Sequence, residues 1–155
     1  MLRNLVLLVF SAILVACAEV KEVTADQLVE RDGITYEKFS SEPFTGRVSG
    51  ELEFGAYKNG LKTGPWEIYH ENGQISGRWE FVAGELDGMG ETYRENGQLW
   101  SRGEYVNDNR NGIWERYSAD GELEIREVWE DGELVSSTGV DDYRYRGQPT
   151  ERLIR

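Results

Sequence analysis

Glu67, Glu91 and Glu115 stand 24 residues apart, and Arg78, Arg102 and Arg126 follow them at the same interval. Two convergent carboxylates are the minimal equipment for glycoside hydrolysis, one as acid and one as base or nucleophile. Three carboxylates that recur with arginine partners read instead as a structural ladder, because a catalytic site is normally singular. His70, the only histidine, has Arg94 and Ser118 at the equivalent places of the period, and reads as exposed and incidental. The single cysteine, Cys17, permits no internal disulfide, and one thiol with one histidine makes no zinc site. Asn107-Asp108-Asn109-Arg110-Asn111-Gly112 resembles the start of a calcium loop. Its twelfth position is Ser118, where a bidentate Glu is required, and Arg110 sits inside it. No serine lies in a nucleophile elbow, and no glycine-rich run opens a helix to hold phosphate. The residues point to a non-enzymatic protein with neither cofactor nor metal.

The elements that position these residues follow from an internal repeat. Three windows align without gaps: Gly64 to Ile75, Gly88 to Leu99 and Gly112 to Leu123. Gly64, Gly88 and Gly112 share one register, as do Tyr69, Tyr93 and Tyr117, and Gly73, Gly97 and Gly121. Trp66 and Trp114 recur too, with Gly90 between them, and Tyr57, Phe81, Tyr105 and Trp129 carry an aromatic onto each return strand. A shortened copy begins at Pro43-Phe44-Thr45-Gly46. Asn72-Gly73, Asn96-Gly97 and Asp120-Gly121 are dipeptides that tolerate positive φ at both centres of a type I′ turn. Each unit is therefore a β-hairpin, and the fold expected is all-β: an elongated, twisted antiparallel sheet of tandem 24-residue hairpins.

Two-residue turns place Glu67 opposite Arg78, Glu91 opposite Arg102 and Glu115 opposite Arg126. A three-residue loop with a glycine bulge would shift that pairing by one. The same register sets Trp66 against Trp79 and Gly90 against Gly103 on the other face, together with Ile75, Phe81, Leu99, Tyr105, Leu123 and Trp129. One face is then a Glu/Arg ladder with tyrosines, and the other is apolar and aromatic. A single layer cannot bury that second face unless the tail covers it, the sheet coils, or a partner docks there. Trp100 falls on the ladder face beside Tyr93, and these two, with Tyr69 and Tyr117, are the candidate binding residues.

Around this array, Asp32-Gly33 between two β-prone segments predicts a further hairpin, placed as a cap on one end of the sheet. Residues 17–27 are polar and lack a period, and read as an anchor and tether to a repeat domain over 28–135. Residues 136–155, with Arg144, Arg146, Arg152 and Arg155 against Asp141, Asp142 and Glu151, form a tail that could cap the other end. The chain has 17 basic and 29 acidic residues, a formal charge of −12, which repels nucleic acid and anionic headgroups and excludes a nucleic-acid partner.

The first residues are an address. Arg3 precedes an apolar run from Leu5 to Val15, too short to span hydrocarbon, which needs roughly 20 residues. The run ends in Leu14-Val15-Ala16-Cys17, which resembles the lipobox of bacterial lipoproteins. That resemblance implies cleavage after residue 16, acylation of Cys17, and Ala18 favouring the outer over the inner membrane. The protein is then expected in the bacterial envelope, lipid-anchored, on the periplasmic side of the outer membrane. Losing Arg3 with the signal peptide takes the formal charge from −12 to −13, so lipid rather than electrostatics holds it there.

The repeat itself resembles the bacterial MORN-variant family, whose units read G-x-W-x-x-Y-x-x-N-G-x-L. Lys58-Asn59-Gly60-Leu61-Lys62-Thr63-Gly64-Pro65-Trp66 and Glu42-Pro43-Phe44-Thr45-Gly46 carry the likeness, and Gly90 departs from it where Trp is usual. The resemblance implies a scaffold that binds another protein or an envelope polymer. Many such proteins are labelled antitoxins, so an immunity-type protein that neutralises a toxin by binding is the alternative, and a toxin-encoding neighbour would favour it. An envelope glycan-processing enzyme is the third possibility and requires a concave site with two convergent carboxylates.

Overall fold

Valine, isoleucine, threonine and aromatics alternate with charge along each repeat, separated by residues able to take positive φ, and strands and turns form where that pattern dictates. The computed structural model describes residues 20–139. Its strands are β1 (Glu22–Val23), β2 (Leu28–Arg31), β3 (Ile34–Glu37), β4 (Gly46–Ser49), β5 (Glu53–Lys58) and β6 (Leu61–Tyr69), then β7 (Ile75–Val82), β8 (Glu85–Tyr93), β9 (Leu99–Val106), β10 (Asn109–Tyr117), β11 (Leu123–Glu130) and β12 (Glu133–Gly139). Ten of them form one sheet in the order β1-β4-β5-β6-β7-β8-β9-β10-β11-β12, and β2 and β3 form a separate hairpin. From β4 onwards every neighbour pair is antiparallel and consecutive, so the sheet is a meander, roughly 43 Å across its strands at ~4.8 Å spacing. Among the described residues no helix is long and apolar enough to cross a membrane.

Two kinds of turn alternate along the meander, and the expected type I′ turns are not at Asn72-Gly73, Asn96-Gly97 and Asp120-Gly121. Asn72, Asn96 and Asp120 do not take positive φ; only Gly73 (81°), Gly97 (81°) and Gly121 (83°) do. The Gly73 amide donates to the His70 carbonyl, and His70 to Gln74, which makes a three-residue loop closed by a glycine bulge. The type I′ turns lie at the opposite ends of the strands, where both centres have positive φ: Asn59-Gly60, Ala83-Gly84, Asn107-Asp108 and Asp131-Gly132. Asp32-Gly33 is another, as expected.

The register nevertheless pairs Glu67 with Arg78, Glu91 with Arg102 and Glu115 with Arg126. The three-residue loop shifts the strands by one, and a second bulge at Ser76, Trp100 and Glu124 shifts them back: Tyr69 pairs with Ile75, then Ile68 with Gly77. This moves Ile75, Leu99 and Leu123 opposite Tyr69, Tyr93 and Tyr117, on the ladder face rather than the aromatic one.

Two indoles of the aromatic face, Trp66 and Trp114, are buried within the single layer, while Tyr57, Trp79, Phe81, Tyr105 and Trp129 around them are half-buried. Gly55 alone faces Gly64, Pro65 and Trp66, and Gly103 alone faces Gly112, Ile113 and Trp114. These wide bulges, at glycines with φ of 69° and 70°, lay each indole flat on the opposing glycine. A Cβ on Gly55 or Gly103 would stand 2.3 Å or 2.2 Å from the indole carbons. Trp66 and Trp114 are 1% and 5% exposed, their Nε1 groups donating to the Ala56 and Glu104 carbonyls. Tyr57 and Phe81 meet Trp66 edge-on at 5.2 and 6.0 Å, and Tyr105 meets Trp114 at 4.9 Å. Lys62 covers Trp66 at 4.2 Å, and Arg110, at the equivalent place, covers Trp114 at 4.2 Å.

The middle unit solves the same problem in reverse. It has Gly90 for Trp and Leu86 for the cation, while its preceding return strand has Trp79 where the neighbours have Gly55 and Gly103. Indole and glycine have exchanged strands. Trp79 pairs with Gly90 and lies over Gly77, and the bulge moves one residue along, so that Glu80 faces Asp87, Gly88 and Met89.

Both ends differ from expectation. The 22–27 segment is not free tether: β1 runs parallel to β4, with Arg47 N donating to the Lys21 carbonyl, and Ala25–Gln27 make a 3-10 turn. Val23 and Val48, 7% and 2% exposed, supply the apolar contact that holds it. The β2–β3 hairpin therefore does not cap the sheet edge. It docks on the Asn59-Gly60 turn through Thr35 N to the Gly60 carbonyl, above Phe44. At the far end β12 extends the sheet to Gly139. The expected signal peptide, Cys17 and, of the expected 136–155 tail, residues 140–155 lie outside the described residues.

Candidate functional site

The ladder is continuous. Arg78 pairs with Glu91 as well as Glu67, and Glu115 with Arg102 as well as Arg126, so a row of alternating charge crosses β6 to β11. Its contacts are uneven. Arg78 Nε meets Glu67 at 3.0 Å, while Glu115 is gripped from both sides, by Arg126 at 2.6 Å and Arg102 at 2.8 Å. The Arg126 and Tyr117 hydrogen bonds, with Arg102, lower the Glu115 pKa from 4.5 to about 2. A carboxyl held there is ionised at neutral pH and cannot serve as a general acid.

The candidate tyrosines belong to this row. Tyr69, Tyr93 and Tyr117 donate their hydroxyls to Glu67, Glu91 and Glu115, two residues back on the same face, at 2.7, 2.6 and 2.7 Å. The Glu67 hydrogen bond raises the pKa of Tyr69; desolvation and then the carboxylate bond raise those of Tyr93 and Tyr117. Their hydroxyls are committed, which leaves ring edges and the arginine stems as contact surface.

Trp100 is not beside Tyr93. It is the extra residue of its bulge, 44% exposed, and lines a pocket with Thr92, Ser101 and Gly90 of the aromatic face. The structure thus splits the expected contact pair between two faces. His70 is not incidental either: its Nε2 lies 2.9 Å from the Tyr93 carbonyl, and Arg94 donates to the Tyr117 carbonyl in the same manner. Each ties one repeat to the next. The residues 107–112 are equally structural, since Asp108 accepts from Leu86 N at 2.7 Å and its own amide donates back to Leu86. Among the described residues no group of acidic, histidine or cysteine side chains could hold a metal ion.

Sequence reasoning missed Gly55, Gly77 and Gly103 as indole platforms. For Gly55 and Gly103 the signal was present as a reciprocal exchange: Trp66, Trp79 and Trp114 each face a glycine on one neighbouring strand, Gly55, Gly90 and Gly103.

Similar proteins say more about the repeat than about its use. A search of curated proteins finds no match. Solved structures with some likeness include accessory secretory protein 1, 2 and 3 of Streptococcus pneumoniae: 17% identity over 73% of this chain, TM-score 0.37. Another is a GtfA/B complex bound to UDP and GlcNAc, 14% identical over 77% of this chain, TM-score 0.30. The chain spans only 20% and 25% of their lengths. At these scores the likeness carries no argument about function. The family description MORN repeat variant matches residues 62–83 and 86–107, one strand–turn–strand unit each. A third unit, over β10 and β11, is built alike behind them.

Proposed function

We propose that the protein is a non-enzymatic, lipid-anchored repeat protein of the bacterial envelope that binds another protein or an envelope polymer through its sheet. The observation that carries this reading is the fate of the carboxylates best spaced for chemistry. Glu67, Glu91 and Glu115 each accept a tyrosine hydroxyl, and Glu115 is also clamped by two arginines, so the ladder uses them to hold strands in register. What remains for function is broad two-faced surface, the usual property of repeat scaffolds. The lipid anchor rests on the Leu14-Val15-Ala16-Cys17 motif alone.

Two measurements test the reading. Mass spectrometry of the membrane-extracted protein should find an acylated Cys17 amino terminus, lost in Cys17→Ser; an uncleaved or unlipidated chain removes the anchor. A crosslinked pull-down from envelope extract should recover a defined component with the wild type. Trp100→Ala and Tyr93→Ala assayed separately then report which face is engaged. Recovery of nothing beyond a bare-bead control counts against a scaffold.

A further inference from the structure

The middle unit, having exchanged its indole for Gly90 and its cation for Leu86, leaves the aromatic face open where the flanking units are filled. A pocket of about 120 Å³ lies there, lined by Trp79, Gly90, Trp100, Tyr105 and Trp114. We propose that this pocket binds an acidic sugar: one pyranose of an anionic glycan, carrying a carboxylate. The proposal rests on the scaffold reading above and names its ligand class.

The lining favours that occupant. The walls are indole and phenol rings, flat apolar surfaces suited to the CH face of a pyranose, and the shallow cavity seats one face of a ring while the rest stays in solvent. Thr92 and Ser101 line the pocket with hydroxyls 2.7 Å apart, either of which can be the donor. Each can donate and accept, as sugar hydroxyls do.

Arg116 supplies the charge selection. It lines the pocket, and among the described residues no hydrogen bond, ion pair or ring contact engages its guanidinium. Arg110, by contrast, is taken up by Trp114, Trp129 and Glu127. One free guanidinium beside stacking rings fits one carboxylate, with the bidentate geometry arginine favours. Of the other charged residues lining the pocket, Glu127 is taken up by Arg110, and Glu115 by Arg102 and Arg126, so Arg116 is the charge left for a ligand.

The pocket's place in the fold argues against a peptide strand. It lies in the interior of the sheet, where β8, β9 and β10 are paired on both sides, so no free backbone row is available to hydrogen-bond an added strand.

The test uses the full chain in detergent and three probes: tetragalacturonate, cellotetraose and a tetraglutamate peptide, followed by calorimetry and tryptophan fluorescence. Tetragalacturonate should bind saturably and at least tenfold more tightly than either other probe. Trp100→Ala and Arg116→Gln, both exposed positions, should each weaken it at least tenfold at unchanged melting temperature, while Arg47→Gln, an exposed cation on the opposite face, leaves it intact. Absence of saturable tetragalacturonate binding overturns the proposal. So does equal binding of tetraglutamate or cellotetraose, or an affinity indifferent to both variants. Such a failure leaves the envelope pull-down untouched; an empty pull-down with sugar binding intact would instead defeat the wider scaffold reading.

Discussion

Replacing Glu115 by Gln keeps its size and removes the charge that two arginines share, so it measures what the ladder contributes. A carboxyl held at about 2 rather than 4.5 corresponds to about 3 kcal/mol in favour of the ionised native form. The Glu115 side chain is only 12% exposed, but Arg102 and Arg126 are 47% and 40% exposed, and solvent screens the pair. About 2 kcal/mol survives that discount. The sign follows from proton counting. Between about 2 and 4.5 the unfolded chain holds a proton that the native chain lacks, so stability rises with pH through that window. It is fully present above 4.5 and lost as pH falls through the folded value. Urea unfolding followed by tryptophan fluorescence should find Glu115→Gln about 2 kcal/mol less stable at pH 7, the gap closing as the pH approaches 2. Glu91→Gln, whose carboxylate accepts the Tyr93 hydroxyl but is not clamped by arginines, should cost half as much or less. A Glu115→Gln penalty equal at pH 7 and pH 2 would refute the electrostatic account and assign the effect to shape.

The glycines divide by mechanism: Gly103→Ala pushes a Cβ into Trp114 at 2.2 Å and should cost about 2–3 kcal/mol. Gly64→Ala meets nothing within 4 Å and strains only a φ of 69°, so chemical denaturation should report about 1 kcal/mol. The exchange in the middle unit predicts a coupled pair, Gly90→Trp alone clashing with Tyr105 and Trp79, and Trp79→Gly relieving it. A double-mutant cycle with no coupling beyond about 0.5 kcal/mol would contradict the exchange. Tyr69, Tyr93 and Tyr117, whose pKa values are raised, should titrate above 10 by absorbance near 295 nm, and the stability they confer is lost as pH climbs through the folded values. Their titration together with free tyrosine would break the hydroxyl–carboxylate bonds from the account.

How much was legible depended on distance along the chain. The 24-residue period, the strand alternation and the Glu67–Arg78, Glu91–Arg102 and Glu115–Arg126 register could all be read, because hairpin partners are near in sequence and their side chains meet directly. The register came out right through two offsetting departures, a longer loop at Gly73 and a bulge at Ser76. Dipeptide preference does not separate a type I′ turn from a type I turn with a glycine bulge, since both place glycine at positive φ. Trp100 was assigned to the wrong face for the same reason: a bulge breaks the period-2 rule on which face assignment depends. His70 looked incidental because its partner, the Tyr93 carbonyl, is 23 residues away on the next unit.

By itself the sequence determined that the chain is a tandem β-hairpin array, that its carboxylates pair with arginines, and that its one cysteine follows an apolar run. Those are properties of period, charge and local chemistry. Only the tertiary structure decided how a single-layer sheet buries its tryptophans, by bulging at Gly64 and Gly112 and laying each indole on a glycine of the neighbouring strand. It also decided where a pocket opens, because the exchange of Trp79 and Gly90 is a relation between two strands and a cavity exists only once both are in place.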